Sequence, residues 1–158
     1  MARQKNLHTT ARKIIESCAG WNSRLAARRI SQFIDREMAG TGLSLAQFAL
    51  MGQIAAASDD TLGALAQRCD LDPSTLSRNL RQLEKDELVE IVTIENDLRR
   101  RAVWLTEKGA RKLEAAVPAW SRAQAKLAKL SLPDLARQLA RETEALGTAT
   151  NASSSDDQ

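Results

Sequence analysis

One segment of the chain carries most of the side chains that could recognise another molecule. Placed on a helix, the residues from Pro73 to Asp86 divide into an apolar side and a polar side. Leucines occupy the apolar side and are expected to face the core: Leu76, Leu80 and Leu83. The outward side carries small hydroxyls followed by basic side chains: Ser74, Thr75, Ser77, Arg78, Arg81 and Lys85. Such a helix suits the major groove of DNA, where an Arg can donate two hydrogen bonds to guanine and hydroxyls can approach phosphates and base edges.

The sequence lacks the residue sets that common catalytic and metal sites require. Its only histidine is His8, and its two cysteines, Cys18 and Cys69, are far apart along the chain. Zinc sites use three or four Cys, His or carboxylate ligands, so we expect no metal. We find no nucleophile elbow and no phosphate-binding glycine loop, and therefore expect neither a cofactor nor an enzyme. Two small buried hydrophobic residues are the simplest interpretation of the cysteines.

Composition and charge restrict the class of protein. Hydrophobic residues make up 43% and charged residues 27% of the 158 residues, as in globular domains. No apolar run approaches the ~20 residues that a bilayer-spanning helix needs, and the N-terminus is too polar for a secretory signal. We therefore expect a cytoplasmic protein that does not bind membranes. The net charge of +3 is mild, so DNA binding would require the basic groups to be sorted onto one face.

Capping signals divide the first half of the chain into helices. Apolar residues recur with a helical period over residues 10–38, which predicts one long helix. Ser44 begins a capping box for the next helix, and Thr61 precedes a short third helix. Asp72 followed by Pro73 is a strong start signal for the amphipathic helix, because proline lacks an N–H that would be unpaired there anyway.

The period changes after the amphipathic helix. Residues 88–94 alternate and are rich in β-branched side chains, which predicts a strand, and residues 101–105 predict the returning strand after a turn at 95–98. Three consecutive arginines, Arg99, Arg100 and Arg101, lie near the tip of this hairpin. Beside a groove-reading helix, they are suited to phosphates or to a narrow minor groove. Asp97 could hold Arg99 extended by an ion pair.

Long helices complete the chain. Thr106 caps one helix, in which leucine or tryptophan recurs every seven residues at Leu113, Trp120 and Leu127, as in helices that pack on other long helices. Ser131 and Pro133 open the last helix. We therefore predict a mainly α fold with a small β-hairpin wing (α+β), in which residues 44–106 form a winged helix-turn-helix. Residues 1–9 are expected to be a flexible arm and residues 148–158 a disordered tail.

Several motifs in this order resemble the MarR family. The run from Leu71 to Lys85, followed by Leu88 and Val89, is similar to that family's recognition helix. Asp97-x-Arg99, followed by Leu105-Thr106-Glu107-x-Gly109, resembles its wing and the start of its next helix. Gln47-Phe48-x-Leu50-Met51 resembles its second helix, and the resemblance covers about residues 10–147.

The resemblance implies a transcriptional regulator, which we expect to be a repressor, that forms a homodimer through residues 10–40 and 107–147. Its two recognition helices would lie about one DNA turn apart on a pseudo-palindrome. The resemblance assigns DNA contact to helix residues Ser74, Thr75, Ser77, Arg78 and Arg81 and to the wing pair Asp97 and Arg99, and we add Lys85 and Arg100. The family usually has glycine where this chain has Glu87, so we expect a strained or slightly lengthened helix end.

The signal that controls such a regulator is open to alternatives. Family members commonly release DNA when small anionic aromatic or phenolic molecules bind between the dimer helices and the DNA-binding lobe. Four residues could line such an effector pocket: Trp21, Asn22, Arg24 and Arg28. Alternatively, Trp21 belongs to the core and the arginines are solvated. A third possibility is a thiol regulator in which Cys18 senses peroxide, although such sensors use Tyr hydroxyls and this chain has no Tyr. A winged helix that contacts proteins instead of DNA is the last alternative.

Overall fold

A computed structural model describes the backbone at residues 2–57, 61–94 and 97–152, and side chains at 6–57, 61–93 and 101–146. Within these ranges the elements are α1 (Ala2–Ser17), α2 (Ala19–Met38), a 3₁₀ turn (Ala39–Thr41), α3 (Leu45–Ala55), α4 (Leu62–Cys69), α5 (Pro73–Lys85), β1 (Val89–Ile94), β2 (Asp97–Leu105), α6 (Glu107–Ala128) and α7 (Leu132–Ala152). This mainly helical arrangement with one antiparallel hairpin confirms the predicted fold class.

Side-chain caps begin the helices where the sequence predicts them. The Ser44 hydroxyl accepts the Gln47 amide at 3.2 Å, and the Gln47 side chain accepts the Ser44 amide at 2.9 Å, which completes a capping box. The Thr61 hydroxyl caps α4 by accepting the Ala64 amide, and the Thr106 hydroxyl caps α6 by accepting the Gly109 amide. Ser131 differs, because its φ of +56° is left-handed and not the extended conformation of an ordinary N-cap.

The predicted single helix over residues 10–38 is wrong, because the structure has two helices that meet at Cys18. The Cys18 backbone is extended, with ψ of 104°, and its Sγ atom accepts the Trp21 amide at 3.4 Å as the N-cap of α2. The Asn22 side chain donates to the Glu16 carbonyl at 3.0 Å across the break. Apolar residues recur on both sides of Cys18, so their period does not reveal an interruption of the backbone.

Both ends of the chain are more helical than expected. The expected flexible arm, residues 1–9, lies within α1 from Ala2 onward, and α7 continues into the expected tail as far as Ala152. Residues 153–158 lie outside the described part of the chain. The polar composition of both ends predicts disorder, because they have little apolar surface to bury. A helix that has already begun nevertheless extends easily into such a segment, because each added residue gains one hydrogen bond.

The core lies where α2, α3 and α6 meet the α4–α5 pair and the hairpin. Its largest fully buried side chains are Met38, Met51, Leu65, Leu80, Leu83 and Val103. Phe48 of α3 stacks on Trp120 of α6, with 5.8 Å between ring centroids. Helix α6 contacts α3 and β2 on one side, and it also packs along α2 and α7. It therefore connects the lobe formed by α3–α5 and the hairpin to the long helices α2 and α7.

The hairpin is longer than predicted. In β1 and β2 the partners run from Val89 opposite Leu105 to Thr93 opposite Arg101, and β2 already begins at Asp97, inside the predicted turn. The consecutive arginines hide this part of the strand, because they show no alternation of apolar and polar side chains. Thr61 also forms a bridge to Ala102, which holds the start of α4 against the hairpin. Among the described helices none has the length and apolar character required to cross a membrane.

Candidate nucleic-acid interface

A tight turn presents α5 to the surface. Helix α4 ends with Asp70 in the left-handed conformation, with φ of +49°, and the Leu71 amide donates to the Ala66 carbonyl at 3.0 Å. This hydrogen bond closes the end of α4 and reverses the chain within two residues. Asp72 then caps α5, and Pro73 occupies its first turn. The two helices therefore form the compact helix-turn-helix that the sequence predicts.

The apolar side of α5 faces inward. The exposed fractions of its three leucines are 3% for Leu76, 1% for Leu80 and 0% for Leu83. Burial of this side determines the rotation of the helix, because side chains three and four positions apart share one face. Arg78, Arg81 and Gln82 therefore face outward.

The basic residues of α5 are exposed. Among the described side chains, no carboxylate lies within 4.0 Å of the charged groups of Arg78, Arg81 or Lys85. Arg78 borders a groove beside Ser44 and Gln47 at the start of α3. Arg81 lies on the other flank of α5, near Arg101 of the wing. The helix thus offers cations to both sides of its exposed face.

The three hydroxyl residues of α5 differ in exposure, although the sequence assigns all of them to the outward side of the helix. Ser77 is half-buried and lines an open cavity with Leu62 of α4 and Arg101 of β2. Ser74 is exposed and Thr75 half-buried at the start of the helix. The structure therefore places Ser74 and Thr75 at the tip of α5 and Ser77 against the rest of the lobe.

Asp72 binds both hydroxyls at the tip of α5. Its Oδ1 atom accepts the Ser74 hydroxyl at 2.5 Å and the Ser74 and Thr75 amides at 3.0 Å each, and its Oδ2 atom accepts the Thr75 hydroxyl at 2.6 Å. These hydrogen bonds, above all those from the two hydroxyls, hold the pKa of the Asp72 carboxyl far below its usual range. The sequence identifies Asp72 as a cap, but its contact with two candidate DNA-binding side chains appears only in the structure.

Glu87 ends α5 in the conformation that glycine prefers. Its φ is +59°, and the Leu88 and Glu87 amides donate to the Leu83 and Glu84 carbonyls at 2.8 and 2.9 Å. This is the pattern of a Schellman motif, so the turn expected for glycine is kept with a strained residue. The Thr106 hydroxyl donates to the Glu87 carbonyl at 2.7 Å, and Lys108 binds its carboxylate at 2.8 Å. The hydrogen bond and the charge of Lys108 lower the pKa of Glu87.

The Glu87→Gly variant should be more stable than the parent. Glycine relieves the left-handed strain, while the exposed ion pair that it removes contributes little. We expect the melting temperature to rise by about 2–4 °C for a chain of this size, measured by circular dichroism. A Lys108→Ala variant serves as the control for loss of the ion pair alone. A Glu87→Gly variant no more stable than the parent would contradict the strain argument.

The wing is described only in part. The backbone of β2 includes Asp97, Arg99 and Arg100, but their side chains lie outside the described residues, so the predicted ion pair between Asp97 and Arg99 stays a prediction. The Arg101 side chain is exposed opposite Thr93. The sequence identifies Arg101 only as part of the arginine run, whereas in the structure Arg101 lines a cavity with Arg81 and other residues of α5.

Known proteins share both the sequence and the geometry of this lobe. The MarR family model matches residues 41–100, which include the whole helix-turn-helix. The transcriptional regulator MosR from M. tuberculosis, solved in complex with DNA, is 34% identical with a TM-score of 0.73, covering 86% of this chain and 98% of that chain. The chain belongs to the MarR family. Proteins of this family are transcriptional regulators and not enzymes.

Further comparisons agree with the MarR assignment. A second structure of M. tuberculosis MosR is 32% identical with a TM-score of 0.70, covering 87% of this chain and 98% of that chain. A mutant of E. coli MarR complexed with operator DNA has a TM-score of 0.72 over 83% of this chain and 97% of that chain, and at 20% identity it supports the fold alone. No curated protein sequence matches the chain significantly.

The four predicted effector-pocket residues of this MarR protein lie together at the start of α2. Trp21 is 54% exposed, so the alternative that it belongs to the core of the protomer is wrong. Arg24 and Arg28 are exposed on the following turns, and the Asn22 side chain is engaged with Glu16. Five cavities that border α5 or α6 are lined by other side chains. A role in effector binding stays a prediction.

The two cysteines differ in environment. Cys18 is exposed, so its interpretation as a buried hydrophobic residue is wrong, because the surrounding residues 12–22 are all exposed and lie outside the core of this chain. Cys69 is half-buried against the core, and burial raises the pKa of its thiol, although Arg68 lowers it in part. Cys69 is therefore the less reactive thiol by environment.

Proposed function

We propose that this protein is a transcriptional repressor that binds a pseudo-palindromic operator as a homodimer. In this proposal α5 (predicted as residues 73–86) enters the major groove, and residues 44–106 form the DNA-binding domain. The observation that carries it is the exposed face of α5, on which Arg78, Arg81 and Lys85 project beside buried leucines. The complex of MosR with DNA supports it.

Exposed apolar side chains on the long helices support the homodimer. A monomer rarely exposes this many large apolar side chains on a few elements. They lie on α1, on α2, in the turn between α6 and α7, and on α7: Leu7, Ile14, Ile15, Trp21, Leu130, Leu135, Leu139 and Leu146. We assign residues 10–40 and 107–147 to dimerisation. A two-fold dimer of this kind matches a pseudo-palindromic site, because each half-site meets one copy of α5.

The wing at residues 95–101 is assigned to the minor groove. The exposed Arg101 supports this assignment, because a cation beside α5 can reach the backbone or groove next to the site read by the helix. Arg99, Arg100 and Asp97 are included in the wing by their place in the sequence.

Selection of duplexes from a random DNA pool tests the proposal. The parent protein should enrich a pseudo-palindrome, and Arg78→Ala should lose ~1–3 kcal/mol of discrimination at one base position in each half-site. An Arg122→Ala variant, which removes an exposed arginine of α6 outside residues 44–106, should keep the parent's preference at every position. If the parent enriches no common sequence, the proposal is wrong.

Salt dependence separates this function from protein contact. A protein that binds several phosphates loses affinity steeply with salt, with a log–log slope near −0.9 per phosphate contact. A winged helix that uses the same face for a protein partner would bind duplex DNA weakly and without sequence preference.

We assign the effector pocket to the start of α2. There Trp21 offers an aromatic face, and Arg24 and Arg28 follow it at helical spacing, which suits a small anionic aromatic or phenolic molecule. Salicylate should weaken operator binding by the parent and have less effect on a variant with both arginines replaced by alanine. Equal effects on the two proteins would remove these residues from the pocket.

The exposed thiol of Cys18 favours a second candidate, a repressor released by oxidation. Cys18 caps α2 through its sulfur, so oxidation there would alter the junction of α1 and α2. In that case micromolar peroxide should abolish operator binding by the parent and leave a Cys18→Ser variant unaffected.

A further inference from the structure

At the tip of α5, the hydroxyl hydrogens of Ser74 and Thr75 already form hydrogen bonds within the protein. A hydroxyl has one hydrogen to donate and two lone pairs that accept. Ser74 donates its hydrogen to Asp72 Oδ1 at 2.5 Å, and Thr75 donates its hydrogen to Asp72 Oδ2 at 2.6 Å. Both hydroxyls therefore offer only acceptor positions to another molecule.

Two backbone amides at the same tip also donate hydrogen bonds within the protein. The amides of Ser74 and Thr75 both donate to Asp72 Oδ1 at 3.0 Å. A helix N-terminus usually attracts phosphate through its free amides, but a carboxylate occupies these two and adds negative charge. The tip of α5 is thus poorly suited to a phosphate, whose oxygens only accept hydrogen bonds.

We infer that Asp72 is a specificity-determining residue that acts through Ser74 and Thr75, by making both hydroxyls acceptors toward DNA. This inference rests on the proposed function, because it concerns the bases that α5 reads. In the major groove, the donors that such hydroxyls can bind are the N4 amine of cytosine and the N6 amine of adenine. Guanine O6 and N7 and thymine O4 are acceptors and are disfavoured at this point.

Charge on Asp72 keeps this hydrogen-bond direction over the physiological pH range. The four hydrogen bonds hold the pKa of Asp72 well below its usual range, so the carboxylate stays ionised at neutral pH. Arg78 lies one turn further along α5 with no described carboxylate within 4.0 Å. The tip and the middle of α5 therefore select opposite groups, since the tip binds base donors and Arg78 binds base acceptors.

The Asp72→Asn variant separates this role from helix capping. Asparagine is as good an N-cap as aspartate, so its oxygen can still accept the Ser74 and Thr75 amides. Its amide nitrogen donates, however, so it cannot accept the Thr75 hydroxyl, and that hydrogen becomes free for DNA. An Asp86→Asn variant removes the same charge at the other end of α5, where Asp86 binds Gln82, and serves as the matched control.

The experiment is duplex selection from a random pool with the parent, Asp72→Asn, Asp86→Asn and Thr75→Val. Circular dichroism melting verifies that each variant is folded. We expect the parent to prefer cytosine or adenine at the base faced by the tip of α5, and Asp72→Asn to move that preference by about 2- to 10-fold toward guanine or thymine. Thr75→Val should lose the preference at that base, while Asp86→Asn should keep the parent profile.

A second measurement uses base analogues in the enriched site. Replacement of an adenine by purine, or of a cytosine by 2-pyrimidinone, removes only the exocyclic amine. This should weaken binding by the parent about 2- to 10-fold and leave Thr75→Val unaffected. If the parent enriches no sequence, the proposed function fails and this inference with it. If the parent enriches an operator and Asp72→Asn has the same preference at every base, the inference alone is wrong.

Discussion

Replacing Gly109 by alanine is expected to lower the free energy of unfolding by on the order of 3 kcal/mol, because there is no room for a methyl group at this position. A Cβ atom built on Gly109 would lie 1.9 Å from the carbonyl oxygen of Leu88. That oxygen belongs to the backbone and accepts the Thr106 amide at 3.1 Å, so it cannot move aside as a flexible side chain can. Helix α6 would have to withdraw from the end of α5.

Gly52 provides the matched control for this substitution. It lies within α3, and a Cβ atom built on it meets nothing within 4 Å. Gly52→Ala should therefore stabilise the protein by roughly 0.5–1 kcal/mol, because alanine favours helix interiors over glycine. Urea unfolding followed by circular dichroism measures both variants. If Gly109→Ala unfolds at the same urea concentration as the parent, the close approach of α6 to Leu88 is wrong.

Adjacent residues of α5 are expected to respond in opposite ways to alanine. Leu80 is almost fully buried, so Leu80→Ala should cost about 2–5 kcal/mol of stability through lost contacts and a cavity. Arg81 is exposed, so Arg81→Ala should change stability by less than about 0.5 kcal/mol. Arg81→Ala should nevertheless weaken operator binding and make its salt dependence shallower by about one phosphate contact, or relax preference at one base.

Thermal melting and DNA titration at two salt concentrations distinguish these outcomes. The proposed interface requires that Arg81→Ala remain as stable as the parent and bind DNA less tightly. Should Arg81→Ala bind operator as tightly as the parent at both salt concentrations, Arg81 would not belong to the interface. A Leu80→Ala variant with unchanged stability would show that the apolar side of α5 does not face the core.

Local signals in the sequence are sufficient for the helix-turn-helix. Asp72 and Pro73 begin α5, and Ser44 begins α3, because capping depends on residues two or three positions away. The rotation of α5 follows from the spacing of its leucines, which is also local. The exposed basic face and the MarR resemblance could therefore be recognised without coordinates.

Local sequence signals are insufficient where one pattern is compatible with two different structures. The apolar period continues through Cys18, but the helix breaks there, and a period does not distinguish one helix from two with aligned faces. The arginine run at residues 99–101 has no alternation of apolar and polar side chains, so the sequence does not predict that β2 begins as early as Asp97. Backbone pairing with β1 extends the strand regardless of side-chain pattern.

The sequence by itself determined the helix-turn-helix, the side-chain caps that begin α3 to α6 and the side of α5 that carries its cations, because each depends on neighbours within about one helical turn. Tertiary structure decided which surfaces meet: Gly109 against Leu88, Thr106 and Lys108 against Glu87, and Phe48 against Trp120. These partners are far apart along the chain. Periodicity identifies an apolar face but contains no information on the element that covers it.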